Sequence, residues 1–119
     1  MEDRNLFKDI SKVVYKKKNM LSFEEYFELE INEDASIIKY NNKIKNINDE
    51  LVMNYFDRLF RIIDGWKEEY IDNTVIDGLE WKLQITYKDG FVKQYIGKND
   101  FPNNFEYLDK IKYEIINSM

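Results

Sequence analysis

The 119-residue chain contains no cysteine, no histidine, one proline and four glycines. Without cysteine there are no disulfides and no thiolate metal sites. The lack of histidine excludes more. No Ser-His-Asp or Cys-His constellation can be built, the usual zinc sites are out of reach, and no side chain has an unperturbed pKa near neutrality. Catalysis would have to rest on carboxylates, Lys, Tyr or a carboxylate-held metal ion. Alanine occurs once, at Ala35, against 13 Asn, 15 Ile and 15 Lys, a bias that AT-rich codons produce without any chemistry. No apolar run approaches the ~20 residues of a membrane span, and the start, MEDRNLFKDI, has no apolar signal-peptide core. These absences lead us to expect a cytoplasmic protein with no membrane segment, no metal and no cofactor.

What is present suffices for a folded unit. Hydrophobic residues make up 44% of the chain and aromatic residues 16%, which excludes wholesale disorder. The length suits one domain spanning 1–119. Charge is unevenly distributed: residues 1–20 carry net +3, residues 21–38 net −6 and the remainder net −2, for a total of −5. No Ser/Gly/Pro linker separates these zones and no repeat is visible, so the asymmetry belongs to one domain.

Leu79, Trp81, Leu83, Ile85 and Tyr87 alternate strictly with Glu80, Lys82, Gln84, Thr86 and Lys88, the period of a half-buried strand. Asp89-Gly90 then predicts a two-residue type I′ hairpin and a returning strand. Upstream, Val13-Val14-Tyr15 is a short β-rich run. Phe23, Phe27, Leu29 and Ile31 face one way while Glu24, Tyr26, Glu28 and Glu30 face the other. Asn32-Glu33-Asp34 predicts a turn into a strand over 36–40, and 41–48 reads as polar loop. Asn48 caps a helix whose first turn is acidic. Its stripe is Val52, Phe56, Leu59, Ile63, Trp66 and Tyr70, with Gly65 as a candidate stop. Asn103 with Glu106 predicts a capping box for a last helix whose inner face is Phe105, Leu108, Ile111 and Ile115. The order β-β-β-α-β-β-α predicts an α+β fold: an antiparallel sheet of about five strands with two helices packed on it.

Asp77-Gly78, Trp81, the alternating strand, Asp89-Gly90 and the run Gly97-Lys98-Asn99-Asp100-Phe101-Pro102-Asn103-Asn104-Phe105 resemble the C-terminal signature of a family of small uncharacterised proteins from low-GC Gram-positive bacteria. That pattern runs Asp-Gly-x-x-Trp, an alternating strand, a Gly turn, then Gly-x-Asn-x-aromatic-Pro-x-Asn-Phe. Trp66 and Tyr70 stand where the family has aromatics before the Asp-Gly. The resemblance covers about half the chain; it supports the fold reading and implies no activity.

Few residues point to chemistry. Glu80 and Lys82, with Asp77 nearby, are similar to the Glu-x-Lys half of a Mg²⁺-dependent nuclease site, which needs a further acid on a neighbouring strand. The polar side of an amphipathic strand explains them as well. Gly97-Lys98-Asn99 lacks the second Gly and the Gly-Lys-Ser/Thr ending of a phosphate loop. Lys16-Lys17-Lys18 reads as a basic loop, and a pI of 4.8 argues against direct nucleic-acid binding. The densest single-sign patch is Glu24, Glu28 and Glu30 beside Tyr26. Alternate carboxylates there lie about 7 Å apart, close to the phosphate step of a DNA strand. These four residues are the candidate partner-binding site. The expectation is a small acidic, non-catalytic protein acting by protein–protein contact, its partner a nucleic-acid-handling protein with a basic groove. An immunity protein, or a phage or mobile-element inhibitor of a host defence nuclease, would act in this way. The alternatives are a carboxylate-dependent metal enzyme and a structural subunit of a larger assembly.

Overall fold

In the computed structural model, which describes residues 9–19, 24–74 and 78–118, the elements run in the following order. Strands β1 (Ile10–Asn19), β2 (Glu24–Glu30), β3 (Ser36–Tyr40) and β4 (Lys43–Ile47) precede helix α1 (Asp49–Ile63). Strands β5 (Glu69–Ile71), β6 (Leu79–Tyr87) and β7 (Val92–Lys98) follow, and then helix α2 (Glu106–Asn117). The strands form one sheet in the order β4-β3-β2-β1-β6-β7-β5. Every pairing is antiparallel except β5 on β7, which is parallel.

The fold class is α+β, as expected, but the sheet has seven strands and is mixed rather than five-stranded and antiparallel. Two additions account for the difference. The segment read as polar loop contains β4, because Asn41 takes φ of 53° and lets Tyr40 pair directly with Lys43. The Asn41 side chain and backbone both bind β2, accepting from the Tyr26 amide at 3.1 Å and donating to its carbonyl at 2.9 Å. The second addition is β5, three residues too short to carry a periodic signal.

Other local expectations are revised. Lys16, Lys17 and Lys18 belong to the ten-residue β1, not to a loop. Helix α1 starts under the Asn48 cap, whose side chain accepts from the Leu51 amide at 2.9 Å. It stops before Gly65 (φ 82°), so Trp66 and Tyr70 lie beyond it. The Asp89-Gly90 turn spans three residues rather than two: Gly90, at φ 94°, donates to the Tyr87 carbonyl, and the Tyr87 amide donates to the Phe91 carbonyl. Asn103 does not cap α2. The residue before that helix, Phe105, is itself helical and no side chain caps it, while the Asn103 carbonyl accepts from the Trp66 indole at 3.0 Å. Phe23 and Asp77 lie outside the described residues.

Both helices cover the same side of the sheet. Tyr55 of α1 packs on Phe27 and Lys112 of α2 on Tyr15, and Phe27 and Tyr15 are direct cross-strand partners. Partners that face each other across an antiparallel pair share a face. Between the sheet and the helices lies a core that includes Val13, Phe27, Leu29, Ile38, Phe56, Leu59, Leu83, Ile85, Leu108 and Ile111, all at most 3% exposed. The thinnest dimension, 23 Å, matches one sheet plus one layer of helices at about 10 Å each. Among the described residues no helix is long and apolar enough to cross a membrane.

Candidate functional site

Two polar constellations stand out, one on each face of the sheet. The first interrupts the core. Helix α2 turns Leu108, Ile111, Lys112 and Ile115 inward, so a lysine occupies an apolar stripe. Opposite it on β2 sits Glu25, inward and in phase with Phe27 and Leu29. The Lys112 ammonium, 1% exposed, lies 3.0 Å from a Glu25 oxygen and 3.0 Å from Asp109. Lys17 of β1 reaches Asp109 at 2.8 Å and Glu25 at 3.6 Å, so two acids and two bases balance.

Three tyrosines close this quartet. The Tyr40 and Tyr113 hydroxyls each donate to Glu25 Oε2 at 2.5 Å. The rings of Tyr113, Tyr15 and Tyr40 lie 4.5, 5.0 and 6.0 Å from the Lys112 ammonium, within cation–π range. Burial alone would raise the Glu25 carboxyl pKa. Hydrogen bonds from Tyr113, Tyr40 and Lys112, with the Lys112 charge, outweigh that and lower it from 4.5 to about 2. Burial first, and then the neighbouring carboxylates, push the Tyr15, Tyr113 and Tyr40 hydroxyls above their ordinary value. Tyr15 joins the cluster through its ring alone, its buried hydroxyl having no hydrogen-bond partner among the described residues, and the ion pairs and tyrosine hydrogen bonds of the rest position α2 on the sheet. Sequence reasoning passed over Glu25 and Lys112, although each breaks an apolar phase that was in view.

The second constellation is the open face. β1 presents Lys12, Lys16 and Lys18 there, and β2 presents Glu24, Tyr26, Glu28 and Glu30. The register pairs Lys12 with Glu30, Lys16 with Tyr26 and Lys18 with Glu24. The four expected partner-binding residues thus share one face, but in unequal states. Glu24 is exposed and Glu30 half-buried. Glu28, 8% exposed, is 3.6 Å from Lys39 and accepts the Tyr26 hydroxyl. Burial first, then that carboxylate, push the Tyr26 pKa up to about 12. The acidic row lies beside a basic one, so the face is striped rather than single-signed.

Glu80 and Lys82 also lie on the open face, in register with Lys18 and Lys16 on β1. Among the described residues no group of three or more Asp or Glu is placed to hold a metal ion.

Trp81 and the run from Gly97 to Phe105 form a structural knot on the helix side. The Trp81 indole donates to the Asp100 carbonyl at 3.0 Å, and its ring packs against Phe105 at 4.8 Å and Trp66 at 5.9 Å. Gly97 faces Trp81 across the β6–β7 pair, where an added Cβ would sit 1.9 Å from the indole nitrogen. Asn99, at φ 59°, clamps Leu79 by accepting from its amide and donating to its carbonyl, both at 2.9 Å. The run from Gly97 to Phe105 thus joins β7 to α2 and locks Trp81 beneath it. Compared with known proteins, the chain matches no protein-family model, no curated protein and no solved structure.

Proposed function

We propose that the chain is a non-catalytic binding protein that acts by protein–protein contact through the open face of its sheet. The observation that carries this reading is the one-sided covering. Among the described residues both helices pack on one face, leaving the other with rows of charged residues on neighbouring strands, most of them facing an opposite charge, a pattern able to set the register and orientation of a partner. Within this reading the β2 row, Glu24, Tyr26, Glu28 and Glu30, is the element that would meet a basic groove of a nucleic-acid-handling protein. That is the contact an inhibitor or immunity protein would make, and a host defence nuclease is one such partner.

Glu28 already has Lys39 and Tyr26 as partners, so Glu24 and Glu30 are the residues to vary. Replacing both with Gln should slow association with such a partner, weaken its salt dependence and leave the melting temperature within a degree or so, because surface substitutions change stability little. Unchanged association kinetics across a salt series would remove the β2 row from the contact.

A further inference from the structure

The order of charges on the open face breaks at one place. Facing charged residues on neighbouring strands are of opposite sign at Lys12–Glu30, Lys18–Glu24, Lys18–Glu80, Glu28–Lys39 and Glu80–Lys98. Lys17–Glu25 on the helix side follows the same rule. Lys16 faces Lys82, the single like-charge pair among the described strands. Facing like charges destabilise a sheet, and neither lysine has relief from its other flank. Lys16 has Tyr26 there and Lys82 has Ile96, and neither forms an ion pair with any described residue.

The same two lysines line a concavity of about 430 Å³, joined by Lys18, Lys98, Glu24 and Glu80, with Ile71 and Ile96 beside Trp81 and Gly97 in the rest of its lining. That volume falls within the ~300–1,000 Å³ of small-molecule sites. Four lysines against two glutamates leave this rim at net +2 on a chain of net −5.

We propose that this concavity is an anion site for a small phosphomonoester, with the phosphate seated between the Lys16 and Lys82 ammonium groups. Lys18 and Lys98 flank it, and the apolar part of the ligand lies on Ile71 and Ile96. Near pH 7 a phosphomonoester carries about −1.5 to −2 charges, which matches the rim, whereas a lone carboxylate would leave half of it uncompensated. An extended polyanion fits poorly, because the β2 glutamates border the site and the whole chain is acidic. The site goes beyond the protein-contact reading and does not depend on it.

The test is a ¹H–¹⁵N NMR titration of the full chain with inorganic phosphate, with phenyl phosphate and, at matched ionic strength, with acetate. Saturable shifts at the Lys16, Lys18, Lys82 and Lys98 amides are expected with both phosphates and not with acetate, and phenyl phosphate should also move Ile71 and Ile96. In Lys82→Gln the phosphate affinity should fall at least roughly tenfold, the effect of losing one charge-assisted contact. The same substitution should leave the melting temperature in phosphate-free buffer equal or higher, since it removes the like-charge pair. Lys16→Gln should reproduce both effects. Shifts that do not saturate, or that spread equally to Lys43 and Lys45 on the edge strand, would overturn the site. Undiminished phosphate affinity in both variants would do the same.

Discussion

Glu25 and Lys112 show how much a single misplaced charge can say. Each sits in phase with apolar residues, Glu25 with Phe27 and Leu29 on β2, Lys112 with Leu108, Ile111 and Ile115 on α2. Their juxtaposition follows once α2 packs on the sheet. Removing one partner of a buried pair is far costlier than replacing both, so Lys112→Met should cost about 3–5 kcal/mol in denaturant unfolding, while Glu25→Gln with Lys112→Met should cost less than Lys112→Met alone. The pH dependence follows from the lowered carboxyl pKa. Its contribution is full above the ordinary value of 4.5 and is lost as pH falls from there through about 2. The wild type should therefore lose more stability between pH 5 and pH 2.5 than Glu25→Gln does, as measured by parallel melts. Equal acid slopes would mean that Glu25 is not held as a carboxylate by this cluster. The Lys16–Lys82 pair, by contrast, could not be read from the sequence. It depends on the register between β1 and β6, which only the assembled sheet supplies.

Elements with a strong period were legible, and weak or short ones were not. The β6 alternation places Leu83 and Ile85 at 0% exposure with Lys82 and Gln84 half-buried on the other face, as its spacing predicts. Helix α1 begins at the expected cap because Asn48 supplies an oxygen to an otherwise unpaired amide. The edges were missed for a physical reason: four of the five residues of β4 are exposed, so no buried face marks it as a strand. Its existence rests on the Asn41 turn and on the clamp to Tyr26, a device that recurs at Asn99 and Leu79. β5 acquires its strand geometry only by pairing with β7. At this scale Leu83→Ala should destabilise by about 2–5 kcal/mol and Gln84→Ala by much less. Comparable losses in urea melts would mean that the β6 register is wrong.

For the molecule as a whole, the two faces of the sheet differ in what the described residues place on them. One side is occupied by α1, α2, the Glu25–Lys112 cluster and the Trp81 knot. The other side carries ordered rows of charge, among them Glu24, Tyr26, Glu28 and Glu30. Candidate chemistry was legible in the sequence as residue types but not as geometry, because a row of acids on one strand gives no sign of the lysines on the next.

Partner capture by matched variants tests the division most directly. Wild type, an open-face variant (Glu24→Lys with Glu30→Lys) and a helix-side variant (Tyr113→Phe, which removes one hydrogen bond to Glu25) would be immobilised and exposed to lysate from the native host. Circular dichroism and melting would be recorded for each. The account predicts that wild type and Tyr113→Phe retain the same stoichiometric partner, and that the open-face variant stays folded but loses it. A partner captured equally by all three folded proteins would contradict the claim that the open face is the binding surface.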